Sequence, residues 1–151
     1  MFIKEVELFQ GLGSDFMGQV SEAAQERELP AGQVVFEQGQ SADNFYILVE
    51  GGVELSIEQE GSIHFSLSTP GAVFGWSALV EPHTYTASAH CYTASKVLEI
   101  DRTRLEHILE KYPREALLVM KRLAGVVGQR LVKSYQELLR SRARSETPSY
   151  G

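Results

Sequence analysis

Apolar positions along this chain follow a helical period at both ends and a strand-like alternation between them. Residues 1–29 read as a helical lead-in. Leu8 and Phe9 form one amphipathic turn before Gly11-Leu12-Gly13. Ser14 then reads as the N-cap of a helix with Phe16, Met17, Val20, Ala23 and Ala24 on one face, ended by Pro30-Ala31-Gly32. From 30 to 100 the pattern becomes short alternating runs cut by glycine turns. Val34-Val35-Phe36, 44–50, the alternating Val53, Leu55 and Ile57, then Ile63, Phe65 and Leu67 read as strands. Val73-Phe74 is short, 75–79 reads as one helical turn, and 84–90 and 95–100 read as the closing strands. Strands this short, with turns this regular, predict a small double-stranded barrel of the jelly-roll kind.

Helical periodicity returns at Asp101, a good N-cap, with Leu105, Ile108 and Leu109 on one face of a short helix over 101–112. Pro113 suits the first turn of a second helix, expected over 113–142. In it Leu117, Ala124, Leu131 and Leu138 recur every seven residues, with Met120 and Val127 at intervening positions. That spacing is a two-helix seam, and the helix outruns the length needed to cover a barrel, so it predicts a homodimer. The polar segment 143–151, with Pro148, is expected to be disordered.

Composition narrows the function classes. Cys91 is the only cysteine, which excludes an internal disulfide and a thiolate metal cluster and fits a cytoplasmic protein. No run reaches the roughly 18 apolar residues that span a bilayer, so no membrane role is expected. The net charge of −6 is uneven: residues 1–100 hold 3 Lys/Arg against 14 Asp/Glu, and residues 101–151 hold 11 against 6. A basic helical face is ordinarily a solvated one, so nucleic acid is a minor expectation.

Four segments, in order, resemble the cyclic nucleotide-binding domain shared by catabolite-type regulators, kinase regulatory subunits and gated channels. They are Leu8-Phe9-Gln10-Gly11-Leu12, the run from Pro30 to Gly39, the run from Phe45 to Leu55 with Gly51-Gly52 at its turn, and Pro70-Gly71-Ala72-Val73-Phe74-Gly75. The resemblance implies a ligand-binding barrel with a phosphate-binding cassette beginning at Gly75. A cyclic phosphate is a monoanion, best held where a short helix begins and backbone N–H groups point outward. Gly75 permits close approach, and Trp76, Ser77 and Ala78 would supply the donors.

In the family a glutamate directly after the cassette glycine binds the ribose hydroxyl, and an arginine nine residues on pairs with the phosphate. This chain has Trp76 and, aligned without gaps, Tyr85 at those positions; a shift of one or two residues gives Thr84 or His83, and residues 75–88 contain no Lys or Arg. A missing charge-assisted contact is worth roughly 1.5–3 kcal/mol, about ten- to a hundredfold in affinity. Thr86, Ala87 and Ser88, with the backbone amides, remain to hold an anion weakly. The resemblance also implies that Ser134 and Tyr135 of the long helix lie over the base.

The expected function is therefore a regulatory sensor that binds a small molecule, with cyclic AMP or cyclic GMP as candidates, and signals through a dimeric helix to a partner. Ligand would shift a hinge over 101–113. A ligand-free dimeric adaptor with a pocket plugged by Trp76 is the alternative. The winged helix-turn-helix of the family's transcription factors would need a further small domain beyond this chain, so direct DNA binding is not expected. No cofactor is expected. A cupin-like metalloenzyme is the remaining class, but His64, His83, His90 and His107 lack a His-x-His pair. Neither a Gly-x-Ser-x-Gly elbow nor a Cys–His arrangement appears, so no enzymatic activity is expected.

Overall fold

The computed structural model describes residues 2–146. Eight strands form two antiparallel four-stranded sheets. One has the order β1 (Ala24–Leu29), β8 (Ser95–Asp101), β3 (Asn44–Glu50), β6 (Val73–Phe74). The other has the order β2 (Val34–Phe36), β7 (Ser88–Cys91), β4 (Val53–Glu58), β5 (Ser62–Leu67). This is the jelly-roll arrangement, with helices at both ends of the chain. Local sequence explains the central strands. β3 is apolar at Phe45, Tyr46, Ile47 and Leu48, and all four are buried, as in a strand covered on both faces. β4 buries Val53 and Leu55 and leaves Glu54 and Ser56 half-buried, the alternation of a strand with one inward face.

Two expectations about the lead-in are corrected. The helix α1 is Ser14–Ala23, and the chain then becomes strand β1 rather than continuing to Pro30. Gln25, Glu26, Arg27 and Glu28 are all exposed in β1, so no alternation betrays the strand. What holds it is the ladder to β8, from Ala24 opposite Ile100 to Leu29 opposite Ser95, with Arg27 paired to Glu99 at 2.8 Å. Ser14 is also not the cap. Gly13 occupies that place without a side-chain bond, and Ser14 is the first helical residue. The turns Phe2–Glu5 and Glu7–Phe9 precede it and bury Ile3, Val6, Leu8 and Phe9.

At the C-terminal side α2 is Arg102–Lys111, with the Asp101 carboxylate accepting from the Arg104 N–H at 3.0 Å. Tyr112 breaks it, held edge-on to Phe16 at 5.7 Å with its hydroxyl accepting from Gln19 at 3.0 Å. The expected hinge is thus pinned to α1. The long helix α3, Pro113–Glu146, spans 34 residues, about 50 Å at 1.5 Å per residue. It runs four residues beyond the expected end, which corrects the disordered assignment for 143–146; residues 147–151 lie outside the described residues.

The first turns of α3 lie against the barrel and lead-in. Val119 and Leu123 are buried, and Met120, Val126 and Val127 pack partly against the core. Arg122 Nη1 donates toward the carbonyls of Glu7, Leu8 and Gln10, at 3.4, 3.2 and 2.8 Å. These are orphan carbonyls at the end of a short helical turn, where a guanidinium is favourable. Beyond Arg130 the helix runs along the rim of β5, touched through Leu131, Lys133 and Ser134, and of residues 131–140 only Ser134 is half-buried. The structure therefore divides the expected seam. Leu117, Ala124 and Leu138 face outward and Leu131 sits at the border, half over the cleft, whereas Met120 and Val127 face the barrel. A period of 3.6 places 120 and 127 on the stripe of 116, 119 and 123, and the outward face is completed instead by Leu118, Val132, Tyr135 and Leu139.

Candidate functional site

The cassette turn begins where β6 meets backbone it must nearly touch. Gly75 has φ +74°, and a Cβ there would stand 3.0 Å from the Tyr46 ring and 3.2 Å from the Asn44 carbonyl. Only glycine combines that dihedral with that approach. The helical turn expected at 75–79 is a short 3-10 turn, Trp76–Ala78. The Ala78 N–H is already bonded to the Gly75 carbonyl at 3.2 Å, so of the three expected donors only Trp76 and Ser77 begin the turn without an acceptor inside it.

Tyr85, at the position expected to face a phosphate, belongs to the core. It is 5% exposed and stacks on Phe36 at 3.7 Å with ring planes 9° apart. Its hydroxyl donates to the Asn44 carbonyl at 2.7 Å and accepts from the Asn44 N–H at 3.3 Å. Burial pushes its pKa up to about 12, so it is a neutral phenol at any physiological pH. The expected strand 84–90 is shortened to β7, and only a single bridge, Ser41 to Thr84, precedes Ser88. The Ser88 hydroxyl accepts from the Gln38 N–H at 2.8 Å. The space left between Gly75, Trp76, Ser77 and Tyr85 is about 20 Å³. A water needs about 10–15 Å³, so this turn has room for a solvent molecule and none for a phosphate in the present conformation.

A larger cleft, about 170 Å³, opens between the barrel and α3. Leu55 and Ile57 of β4 with Ile63 and Phe65 of β5 form its floor, and Trp76, Thr86 and Ala87 form one wall. Val127, Arg130, Leu131 and Ser134 of α3 close it. Of the expected ligand residues, Trp76, Thr86, Ala87 and Ser134 meet here. Gly75, Ser77 and Tyr85 line the small space behind, and Tyr135 is 58% exposed on the outward face of α3, away from the cleft. One helical step of about 100° separates 134 from 135, so both cannot face the same ligand. The Ser134 hydroxyl donates to the Arg130 carbonyl at 2.9 Å.

Arg130 was not among the residues expected from sequence. Its guanidinium lies 4.9 Å from the Trp76 ring centroid and 6.0 Å from that of Phe65. Nη1 is shut off from solvent and finds no hydrogen-bond partner. Burial pulls its pKa down to about 10, which still leaves it charged at neutral pH. A buried donor without a partner costs roughly 1–3 kcal/mol, more when charged, and a cation over an aromatic face returns about 0.5–2 kcal/mol. The contact at best offsets the penalty, so packing stability does not explain an arginine here. The readable signal was its place: a cation between Val127 and Ser134 on the barrel-facing stripe.

The histidines do not converge. The His83 ring faces the Ser77 carbonyl at 3.2 Å and Glu106 at 3.4 Å, while His90 sits in β7 opposite Val34 and Glu54. Among the described residues no group of three or more His, Cys, Asp or Glu is placed to hold a metal, and no helix is long and apolar enough to cross a membrane.

A jelly-roll barrel, a glycine-led cassette turn and a long helix over the cleft are the architecture of a regulatory domain of the cyclic nucleotide-binding type. The chain belongs to the cyclic nucleotide-binding domain family, whose profile matches residues 26–112. In structure it is similar to a putative cyclic nucleotide-binding protein of Geobacter metallireducens, with a TM-score of 0.75 and 31% identity, covering 85% of this chain and 94% of that one. In sequence it is similar to the type II regulatory subunit of the cAMP-dependent protein kinase of Drosophila melanogaster, 29% identical over 72% of this chain and 28% of the subunit. It also resembles glutaminase 1 of Bradyrhizobium diazoefficiens, 25% identical over 86% of this chain and 21% of the enzyme. The chain thus spans less than a third of either curated relative.

Proposed function

We propose that this domain is a regulatory sensor. A small ligand of the cyclic-nucleotide class enters the cleft between barrel and α3, and its presence is read out through the position of α3. The observation that carries this reading is the roof of the cleft: Val127, Arg130, Leu131 and Ser134 all belong to α3, so filling the cleft and moving the helix are one event. The similarity to a subunit named for cAMP dependence supports the ligand class. In this reading the domain is no enzyme. The polar side chains facing the cleft are Trp76, Thr86, Arg130 and Ser134, which make no nucleophile–base or acid–base pair.

The ligand class is tested by thermal unfolding with cyclic AMP, cyclic GMP or a cyclic dinucleotide at about 1 mM. A dissociation constant near 10 μM adds about 2.7 kcal/mol, and a rise of several degrees is expected in a domain of this size with cyclic AMP or cyclic GMP. No rise with any of the three favours the ligand-free adaptor, which the filled cassette turn supports.

The readout would be a second copy or a partner chain bound along α3. Leu117, Leu131 and Leu138 are 56%, 51% and 48% exposed, in line with Leu118, Val132, Tyr135 and Leu139. Leu138→Glu places a charge on this face away from the cleft. The wild type is expected to sediment as a dimer, and the variant as a monomer with an unchanged far-ultraviolet spectrum below about 10 μM, a dimer constant ordinary for such a face. An equally dimeric variant would move the interface elsewhere.

A further inference from the structure

We propose that Arg130 is the anion-pairing group of the cleft, and that the ligand it selects is a planar aromatic anion whose ring lies on the apolar floor while its carboxylate or phosphate edge meets the guanidinium. The proposal rests on the reading of this cleft as the ligand site and names the side chain and ligand chemistry that reading leaves open.

Three observations converge. The cassette segment 75–88 offers no cation, and the space at its turn is about 20 Å³, so an anionic group has no seat there. Arg130 is the one arginine or lysine in the lining of the cleft, and its Nη1 is buried without a partner. Glu5 and Glu7 line a second groove that Arg130 also borders, and no ion pair to Arg130 forms among the described residues. An arginine neutralised by a carboxylate would have no need of a ligand; this one is unneutralised.

Geometry sets the kind of anion. The guanidinium carbon stands over the Trp76 and Phe65 rings, and its N–H edge keeps bonding capacity, since Nη1 has no partner. That edge is a fork matched to the two oxygens of a carboxylate or phosphate. Beside it Leu55, Ile57, Ile63 and Phe65 offer an apolar bed on which a ring can lie. Lys133 stands 5.4 Å over the Phe65 ring from the solvent side and adds a second positive charge at the mouth. At about 170 Å³ the closed cleft is smaller than the roughly 300 Å³ at which drug-sized sites begin. A single-ring anion fits it as it stands, and a nucleotide requires α3 to withdraw. Because Arg130 is part of α3, pairing with the anion pulls on the helix directly.

Trp76 is the only tryptophan, so its fluorescence reports on this cleft alone. The experiment titrates the full chain with benzoate, its neutral isostere benzamide, and cyclic AMP, in the wild type, Arg130→Met and Arg130→Lys. Benzoate and cyclic AMP are expected to change Trp76 emission saturably, and benzamide at least tenfold more weakly than benzoate. Arg130→Met keeps the apolar stem, is expected to melt no lower than the wild type without ligand, and loses about ten- to a hundredfold in affinity for both anions, the worth of one charge-assisted pair. Arg130→Lys retains part of it, since a point charge replaces a fork.

Cyclic AMP binding equally to wild type and Arg130→Met would overturn this proposal and leave the sensor reading standing. Arg130-dependent binding of benzoate with no binding of cyclic AMP would support the proposal and overturn the cyclic-nucleotide reading. Benzamide binding as tightly as benzoate, or no ligand changing Trp76 emission, would overturn the proposal outright.

Discussion

Tyr85→Arg, the substitution that would write the family's phosphate-pairing residue back into this chain, is expected to cost about 3–5 kcal/mol of folding stability, the range for removing a large buried ring. The ring it removes is stacked on Phe36 at 3.7 Å, beside the Tyr46 and Phe74 pair stacked at 5.1 Å. The hydroxyl it removes satisfies the Asn44 carbonyl at 2.7 Å. The guanidinium it introduces would lie in a place 5% exposed, with about 20 Å³ of free space beside it. A buried charge without a partner adds to the loss rather than offsetting it. Urea denaturation measures the change as a fall in midpoint at constant slope. A variant within about 1 kcal/mol of the wild type that also gained cyclic AMP affinity would show that Tyr85 can swing out of the core, and that the turn is a closed form of an ordinary cassette.

Gly51→Ala is expected to be comparably severe, about 3–5 kcal/mol, with no functional compensation. Gly51 ends the β3–β4 hairpin at φ +100°, where a non-glycine residue costs about 1–3 kcal/mol by strain alone. A Cβ there would also stand 2.6 Å from the Ala94 carbonyl oxygen and from Ser95 Cα, and in contact with the Ser95 hydroxyl. Those neighbours cannot give way cheaply. Ser95 is buried and bonds the Gly52 N–H at 3.0 Å and the Thr93 carbonyl at 2.9 Å, tying the hairpin to the start of β8. The expected result is a melting temperature lower by about 6–20 °C in a domain of this size, given about 2–4 °C per kcal/mol at 150 residues. A loss under about 1 kcal/mol would mean that this hairpin is free to rearrange.

Sequence reasoning succeeded where local chemistry and tertiary need agree. The alternation of Val53, Leu55 and Ile57, the glycine turns and the Asp101 cap each specify a local form that packing then uses. It failed at β1, because Gln25-Glu26-Arg27-Glu28 carries no strand signal and pairs only because β8 offers an edge. It also failed at Tyr85, since position in a motif says where a side chain starts and not which way it turns. Arg130 was legible as an oddity on a stripe, but its importance comes from Trp76 and Phe65, 54 and 65 residues away, which no local pattern brings together. Helix geometry likewise separates Ser134 from Tyr135, which the motif places together over a base.

β1 has a consequence for how copies of this chain meet in a crowded solution. Each sheet has two borders with unpaired backbone groups, the usual entry for strand-to-strand aggregation. Here β2 and β6 are three and two residues long, too short to template a neighbour. β5 lies beside α3, with Arg130 and Lys133 over its Phe65. The border with full length and open access is β1, and its four exposed positions carry Gln25, Glu26, Arg27 and Glu28. The polar run that hides this strand from a sequence reader also hides it from other strands. Among the described residues the broad apolar surface is the outward face of α3, so colloidal behaviour is governed by one helix.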